Sequence, residues 1–213
     1  MTHPSGSFPA TRRTAMLTVD ELAFDHAGQR LFSNIAFEVD QGQVLKIHGP
    51  NGGSKTTLLR VLAGSLRPSA GIVRWHGEDA HRYPQAWRRS IAYLGPLDGE
   101  HTGVANLRFA AAFAPEPHAQ GADPYRHAIA RGLSQGQERR AAISRLLIAR
   151  KPLWLLDEPD AASGDDASEL LECCIAGHLE RGGIVLMTTH RPIKTTAAAT
   201  RNLYVEPGGQ CAD

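Results

Sequence analysis

Three things are scarce in this chain, and each scarcity excludes a class of function. Long apolar runs are missing: the richest stretches, residues 143–149 and 153–156, are short and flanked by charge. A bilayer-spanning helix needs about 18 such residues. Charge of one sign is missing too, with 23 basic against 22 acidic residues and a net charge of +1, so nothing marks a nucleic-acid partner. Cysteine is sparse, three residues of which Cys173 and Cys174 are adjacent. That is no disulfide framework, and a reduced, cytoplasmic setting is the simpler expectation.

What is present is enough for one folded domain. The 213 residues are 42% hydrophobic and 21% charged, the composition of an ordinary globular α/β domain with a sizeable core. Residues 1–15 read as a polar tail, disordered or mis-annotated, and 209–213 as a second tail. Arg12-Arg13 has the look of a twin-arginine export pair, but Asp20 and Glu21 fall where the apolar segment of such a signal belongs. Met16, at the head of the first strand-like segment, is an alternative start.

Residues 17–24 and 35–39 alternate apolar with polar and predict half-buried strands, punctuated by turns at Gly28 and Gln41-Gly42. A short strand, 44–48, runs into a glycine-rich turn. Residues 55–63 predict a helix with Leu58, Leu59 and Leu62 inward and Gly64 as its C-cap. Further strands are expected at 72–75, 91–94, 153–157, 184–188 and 203–205. Helices are expected at 104–113, from Ser134 to about Ala149, and at 168–179. Strands alternating with helices predict a largely parallel sheet, with an antiparallel portion at the N-terminal end.

The turn Gly49-Pro50-Asn51-Gly52-Gly53-Ser54-Lys55-Thr56-Thr57 leaves a strand and opens a helix, the setting a phosphate-binding P-loop (Walker A) requires. Backbone N–H groups at a helix N-terminus can wrap phosphate oxygens, and the helix dipole favours the anion. In this reading Lys55 reaches the β- and γ-phosphates of ATP and the Thr56 hydroxyl serves Mg²⁺. Ser54 departs from the pattern, which has glycine before the lysine. A left-handed Ser54 would lose about 1–2 kcal/mol, roughly tenfold in ATP affinity.

Residues 153–159, Leu-Trp-Leu-Leu-Asp-Glu-Pro, form an apolar strand ending in two acids, where α/β sheets place their ligands. Asp157 then belongs to the Mg²⁺ shell, as a Walker B acid does, and Glu158 is the general base that polarises the attacking water. Cys174 and His178 share a helix face at i, i+4 and read as packing residues rather than ligands.

Ahead of that strand, Ser134-Gln135-Gly136-Gln137 heads the long helix and resembles the signature of ABC ATPases. With the Walker A turn, the Walker B acids and His190 after the strand 184–189, all in order, the chain resembles ABC transporter ATPase subunits over residues 17 to 206. The implied fold is that of a P-loop NTPase of the ABC type, occupying residues 16–208 with a shortened helical subdomain at roughly 97–149. The resemblance implies a homodimer in which Ser134 and Gly136 of one subunit touch the γ-phosphate held by the other. It also implies that His190 acts as the switch histidine.

Finer detail is similar to the cytochrome c biogenesis ATP-binding export protein family. Leu31-Phe32-Ser33, Trp87-Arg88-Arg89, Ile91-Ala92-Tyr93-Leu94-Gly95, Asn106-Leu107-Arg108-Phe109 and Thr188-Thr189-His190-Arg191-Pro192 carry that likeness. It implies a peripheral subunit on the cytoplasmic face of a bacterial inner membrane, bound to a multi-spanning permease. ATP hydrolysis there supports haem delivery for c-type cytochromes, haem being met only indirectly through the complex.

The chain departs from the family at several places. Pro96 stands at the Q-loop position, Gly164 at that of the D-loop aspartate with Asp165 one place late, and His26 nearest the adenine-stacking aromatic, two residues after Phe24. Ser54, Pro96 and Gly164 support one alternative, a degenerate subunit that binds nucleotide or partner with little turnover; a separate alternative is an ABC ATPase serving another small molecule.

Overall fold

The structure, a computed structural model, describes residues 15–50, 54–95, 143, 146–159, 165–189 and 199–206. Two sheets organise them. An antiparallel sheet has the order β2-β1-β4-β5, from β1 (Leu17–His26), β2 (Gln29–Val39), β4 (Ala70–Trp75) and β5 (Glu78–Asp79). The other sheet is parallel throughout, in the order β6-β7-β8-β3-β9. It comprises β3 (Val44–His48), β6 (Ile91–Leu94), β7 (Leu153–Asp157), β8 (Ile184–Thr188) and β9 (Thr200–Tyr204).

Both sheets follow from the residue pattern. Strand β1 buries Leu17 and Val19, then Leu22 and Phe24, so its period-two phase slips by one. The slip falls at Glu21, whose φ is +47°, where the pairing with β2 and β4 also shifts register. A bulge at this point keeps both halves of the strand facing the core.

Strands β7 and β8 are buried along their whole length, as apolar runs in a two-sided parallel sheet must be. Their side chains alternate between two cores. Leu153, Leu155, Ile184 and Leu186 join the side of α1 (Lys55–Leu62) and the antiparallel sheet. Trp154, Leu156, Val185 and Met187 join the side holding Leu171, Ile175 and Leu179 of α3 (Asp165–Glu180).

The expected antiparallel N-terminal portion is present, and α1 buries Leu58, Leu59 and Leu62 as predicted. Gly64 closes α1 at φ +71°, its N–H donating to the Val61 carbonyl at 2.9 Å. Two elements were not foreseen. Strand β5 is only a two-residue pairing, and α2 (Pro84–Arg89) is a helix of six residues, too short for a helical period to register. It is held by Trp87, whose Nε1 donates to the Leu62 carbonyl at 2.9 Å.

Residues 143 and 146–149 are helical, within the helix expected up to Ala149. The expected helix at 104–113 and most of the expected helical subdomain lie outside the described residues, as do the tails at 1–14 and 209–213. Among the described residues, no helix is long and apolar enough to cross a membrane.

Candidate functional site

Because the five strands run parallel, their C-terminal ends share one edge, and the described ones among the predicted site residues, Gly49, Lys55, Thr56, Asp157 and Glu158 included, lie at it. At the end of β3 the chain turns into the phosphate loop through Gly49. A Cβ on Gly49 would sit 2.4 Å from the Val205 carbonyl oxygen, so only glycine fits. The approach is fixed by β9: the Val205 N–H donates to the His48 carbonyl at 2.8 Å, and the His48 ring lies against the Tyr204 ring at 5.1 Å. Lys55 is buried, and its ammonium donates to the Gly49 and Pro50 carbonyls at 2.8 and 3.0 Å. Those two bonds hold the lysine head beside the loop it is expected to serve.

Ser54 already belongs to the helix start. Its backbone is helical, φ −86° and ψ −13°, so the left-handed penalty does not arise. The residue is buried, and its hydroxyl has no hydrogen-bond partner among the described residues. Asn51, Gly52 and Gly53 lie outside the described residues.

Asp157 ends β7 with no exposed surface. Burial pushes its carboxyl up, while hydrogen bonds from Thr188, Thr56 and Tyr93 pull it back down. The Thr188 hydroxyl donates to Oδ1 at 2.8 Å, and the Tyr93 hydroxyl donates to Oδ2 at 3.2 Å. Burial first, and then the Asp157 charge, push the Tyr93 phenol above its usual range, so it remains protonated and a donor.

Glu158 follows with φ +46°, a left-handed turn rare outside glycine. Such a residue costs on the order of 1–3 kcal/mol and clusters at functional sites. Its N–H donates to the Thr188 hydroxyl at 2.8 Å.

The oxygen donors suit Mg²⁺. Thr56 and Asp157 arrive from different elements, and the Thr56 hydroxyl lies near enough to the Asp157 carboxyl to pull its pKa down. Mg²⁺ takes one or two carboxylates together with substrate phosphates and waters rather than a full protein cage.

Tyr93 and Thr188 were not singled out as site residues in the sequence. A threonine closing an otherwise apolar strand was the available signal for Thr188. For Tyr93, nothing in its own strand points 64 residues ahead to Asp157.

Other predicted residues fall elsewhere. His26 ends β1 exposed, whereas Phe24 is buried with its ring stacked on Phe32 at 6.1 Å, so Phe24 belongs to the core. Cys174 and His178 are packing residues: both are buried, and the His178 ring stacks on Trp154 at 4.0 Å. Ser134, Gln135, Gly136, Gln137, His190, Pro96 and Gly164 lie outside the described residues.

Comparison with known proteins identifies the family. The ABC transporter family matches residues 32–161. The cytochrome c biogenesis ATP-binding export protein CcmA of Paraburkholderia xenovorans is 40% identical, over 93% of this chain and 100% of its own length. Its namesake in Dechloromonas aromatica is 37% identical, over 88% and 98%.

Among solved structures, the ATP-binding cassette MJ0796, captured as a post-hydrolysis dimer with ADP and Pi, superposes with a TM-score of 0.70 at 21% identity. That match covers 90% of this chain and 96% of the other. The cbiO1 protein of Clostridium perfringens, part of the cbiONQ transporter complex, gives 0.68 at 20%, covering 94% and 88%. At these identities the structures speak for the fold, and the sequence relatives speak for the family. The chain belongs to the ABC transporter ATP-binding family and, within it, to the cytochrome c biogenesis ATP-binding export proteins.

Proposed function

We propose that this chain is the ATP-hydrolysing subunit of a complex that energises haem export or delivery for c-type cytochrome assembly. It works as a homodimer on the cytoplasmic face of a bacterial inner membrane, bound to a multi-spanning permease. The chain is an ABC-type ATPase that uses ATP with Mg²⁺. The observation that carries the mechanism is the meeting of Thr56, from the P-loop helix, with Asp157 at the end of β7, with Glu158 the next residue along.

Each group has a part in hydrolysis. The Lys55 ammonium, already held beside the loop, offers a further N–H to the β- and γ-phosphate oxygens. The Thr56 hydroxyl and the Asp157 carboxylate would hold Mg²⁺, which would neutralise developing phosphate charge. The Glu158 carboxylate takes the proton of the attacking water. His190, two positions after the last residue of β8, is the candidate group for the γ-phosphate, and Ser134, Gln135, Gly136 and Gln137 are the candidates to close the partner subunit's site. Asn51, Gly52, Gly53 and Thr57 complete the phosphate cradle.

For the degenerate alternative, the helical Ser54 backbone removes only the strain argument; the Ser54 side chain itself, Pro96 and Gly164 remain its grounds. Complementation tests the cargo assignment. In a host deleted for its own such subunit, this chain should restore c-type cytochromes and its Glu158→Gln variant should not. Failure of the parent chain, expressed and membrane-associated in that host, would point to another cargo.

A further inference from the structure

The two acids of the site do not stand independently. Asp157 and Thr188 face each other across the parallel pairing of β7 and β8. The Thr188 hydroxyl makes two bonds at once: it donates to Asp157 Oδ1 at 2.8 Å and accepts the Glu158 N–H at 2.8 Å. A hydroxyl carries one donor and two acceptor places, so the same oxygen ties the side chain of the first acid to the backbone of the second. Asp157 Oδ2 receives the Tyr93 hydroxyl from β6 on the other side.

Three neighbouring strands therefore converge on one carboxylate. The left-handed Glu158, whose N–H leaves the strand direction, is tied to that same point.

We infer that Thr188, assisted by Tyr93, is the positioning residue of the hydrolytic site, setting the orientation of the Asp157 carboxylate and the turn that aims Glu158. The inference rests on the roles proposed above for those two acids. A threonine needed only for strand packing could be replaced by valine, which keeps the branched shape and drops only the hydroxyl. A hydroxyl that aims two acids could not. Thr188 is also two positions before His190, so the strand leading to that histidine is pinned to the acids at its last residue.

The test uses the full-length protein and the variants Thr188→Val, Thr188→Ser and Tyr93→Phe, with thermal unfolding to verify folding. Two readouts are needed: kcat and KM for ATP, and Mn²⁺ affinity by electron paramagnetic resonance with ATP bound. Groups that orient metal ligands typically contribute about 10–100-fold in affinity or activity. Thr188→Val should fall in that range in both Mn²⁺ affinity and kcat, with ATP affinity in the absence of metal unchanged. Thr188→Ser should recover most of the loss, and Tyr93→Phe should weaken Mn²⁺ to a lesser degree.

Folded Thr188→Val with parent-like Mn²⁺ affinity and kcat would overturn the inference, as would a serine variant as impaired as the valine. If Thr188→Val does not fold, Tyr93→Phe with unaltered Mn²⁺ affinity overturns it and weakened affinity upholds it. A parent protein that turns over normally while Glu158→Gln also does so would fault the assignment of the base instead, a separate result.

Discussion

Strand β7 carries two buried polar side chains three residues apart, Trp154 and Asp157, and their surroundings are opposite. The Asp157 carboxylate accepts hydrogen bonds from Thr188 and Tyr93, with the Thr56 hydroxyl also pulling its pKa down. Trp154 faces the other core, where its ring stacks on His178 with the planes 9° apart, and neither Trp154 Nε1 nor His178 Nε2 has a hydrogen-bond partner among the described residues. Burying an unpaired polar group is costly, and the cost grows sharply for a charged one. The strand's C-terminal end thus holds a charge that protein groups support from several sides. Its middle holds polar rings that fit only while neutral. Changes at the first place should act on chemistry, and changes at the second on stability and its pH dependence.

The sharpest break of that contrast is Gly183→Ala. A Cβ there would lie 2.2 Å from the His178 ring, a ring with no free direction because Trp154 lies flat against it. Overpacking of this kind costs about 1–3 kcal/mol, read as a lowered urea midpoint with unchanged m-value. ATP turnover per folded molecule should be unaffected, and adding His178→Ala should relieve most of the loss.

Acid should probe the same cluster. Burial, with a smaller contribution from the Arg181 charge, lowers the His178 pKa to about 4, against backbone groups of Ile184 and Pro152 that pull it back. Buried Cys174, one turn earlier on α3, faces the same core with its thiol pushed up by burial and so carries no charge there. The unfolded imidazole titrates near 6.5, so the unfolded chain binds the extra proton between these values. The stabilisation is full above pH 6.5 and is lost as pH falls towards 4. At pH 5 the loss should be about 2 kcal/mol. Unfolding curves at pH 7 and 5 for the parent and His178→Ala would isolate it, since the variant should lack that part of the slope.

The smallest effect expected is at Ser54. Its helical backbone means that Ser54→Gly relieves no left-handed strain. ATP affinity should change by less than about tenfold, under about 1.4 kcal/mol, as measured by titration with a fluorescent nucleotide. A larger gain would show that the Ser54 side chain itself obstructs the phosphates.

The sequence was most readable where chemistry and backbone demand meet in one short stretch. Gly49, Lys55, Thr56, Asp157 and Glu158 announce themselves because a strand, a turn and a helix start must follow in fixed order. The central strands were readable from unbroken apolar runs, and α1 from its leucine spacing. The links between distant stretches were not. Thr188 reaches Asp157 across 31 positions, and Tyr93 reaches it across 64. Such pairs exist only once the strand order β6-β7-β8 is known. The His178 stack was hidden likewise, since its spacing pointed to Cys174 on the same helix while its ring partner lies on β7. Whether Ser54 takes a left-handed backbone could not be read from the sequence, because the answer depends on where the chain enters the helix, which it has already done at that residue.

The central claim is that Glu158 is the base of a working Mg²⁺-dependent ATPase. Its most direct test is ATP hydrolysis by this protein co-expressed with its membrane partner, beside the Glu158→Gln variant. The account predicts Mg²⁺-dependent turnover in the parent and a fall of about 10²–10⁴-fold in kcat for the variant, with ATP still bound. Equal turnover in both, or none in a parent that binds ATP, would contradict it.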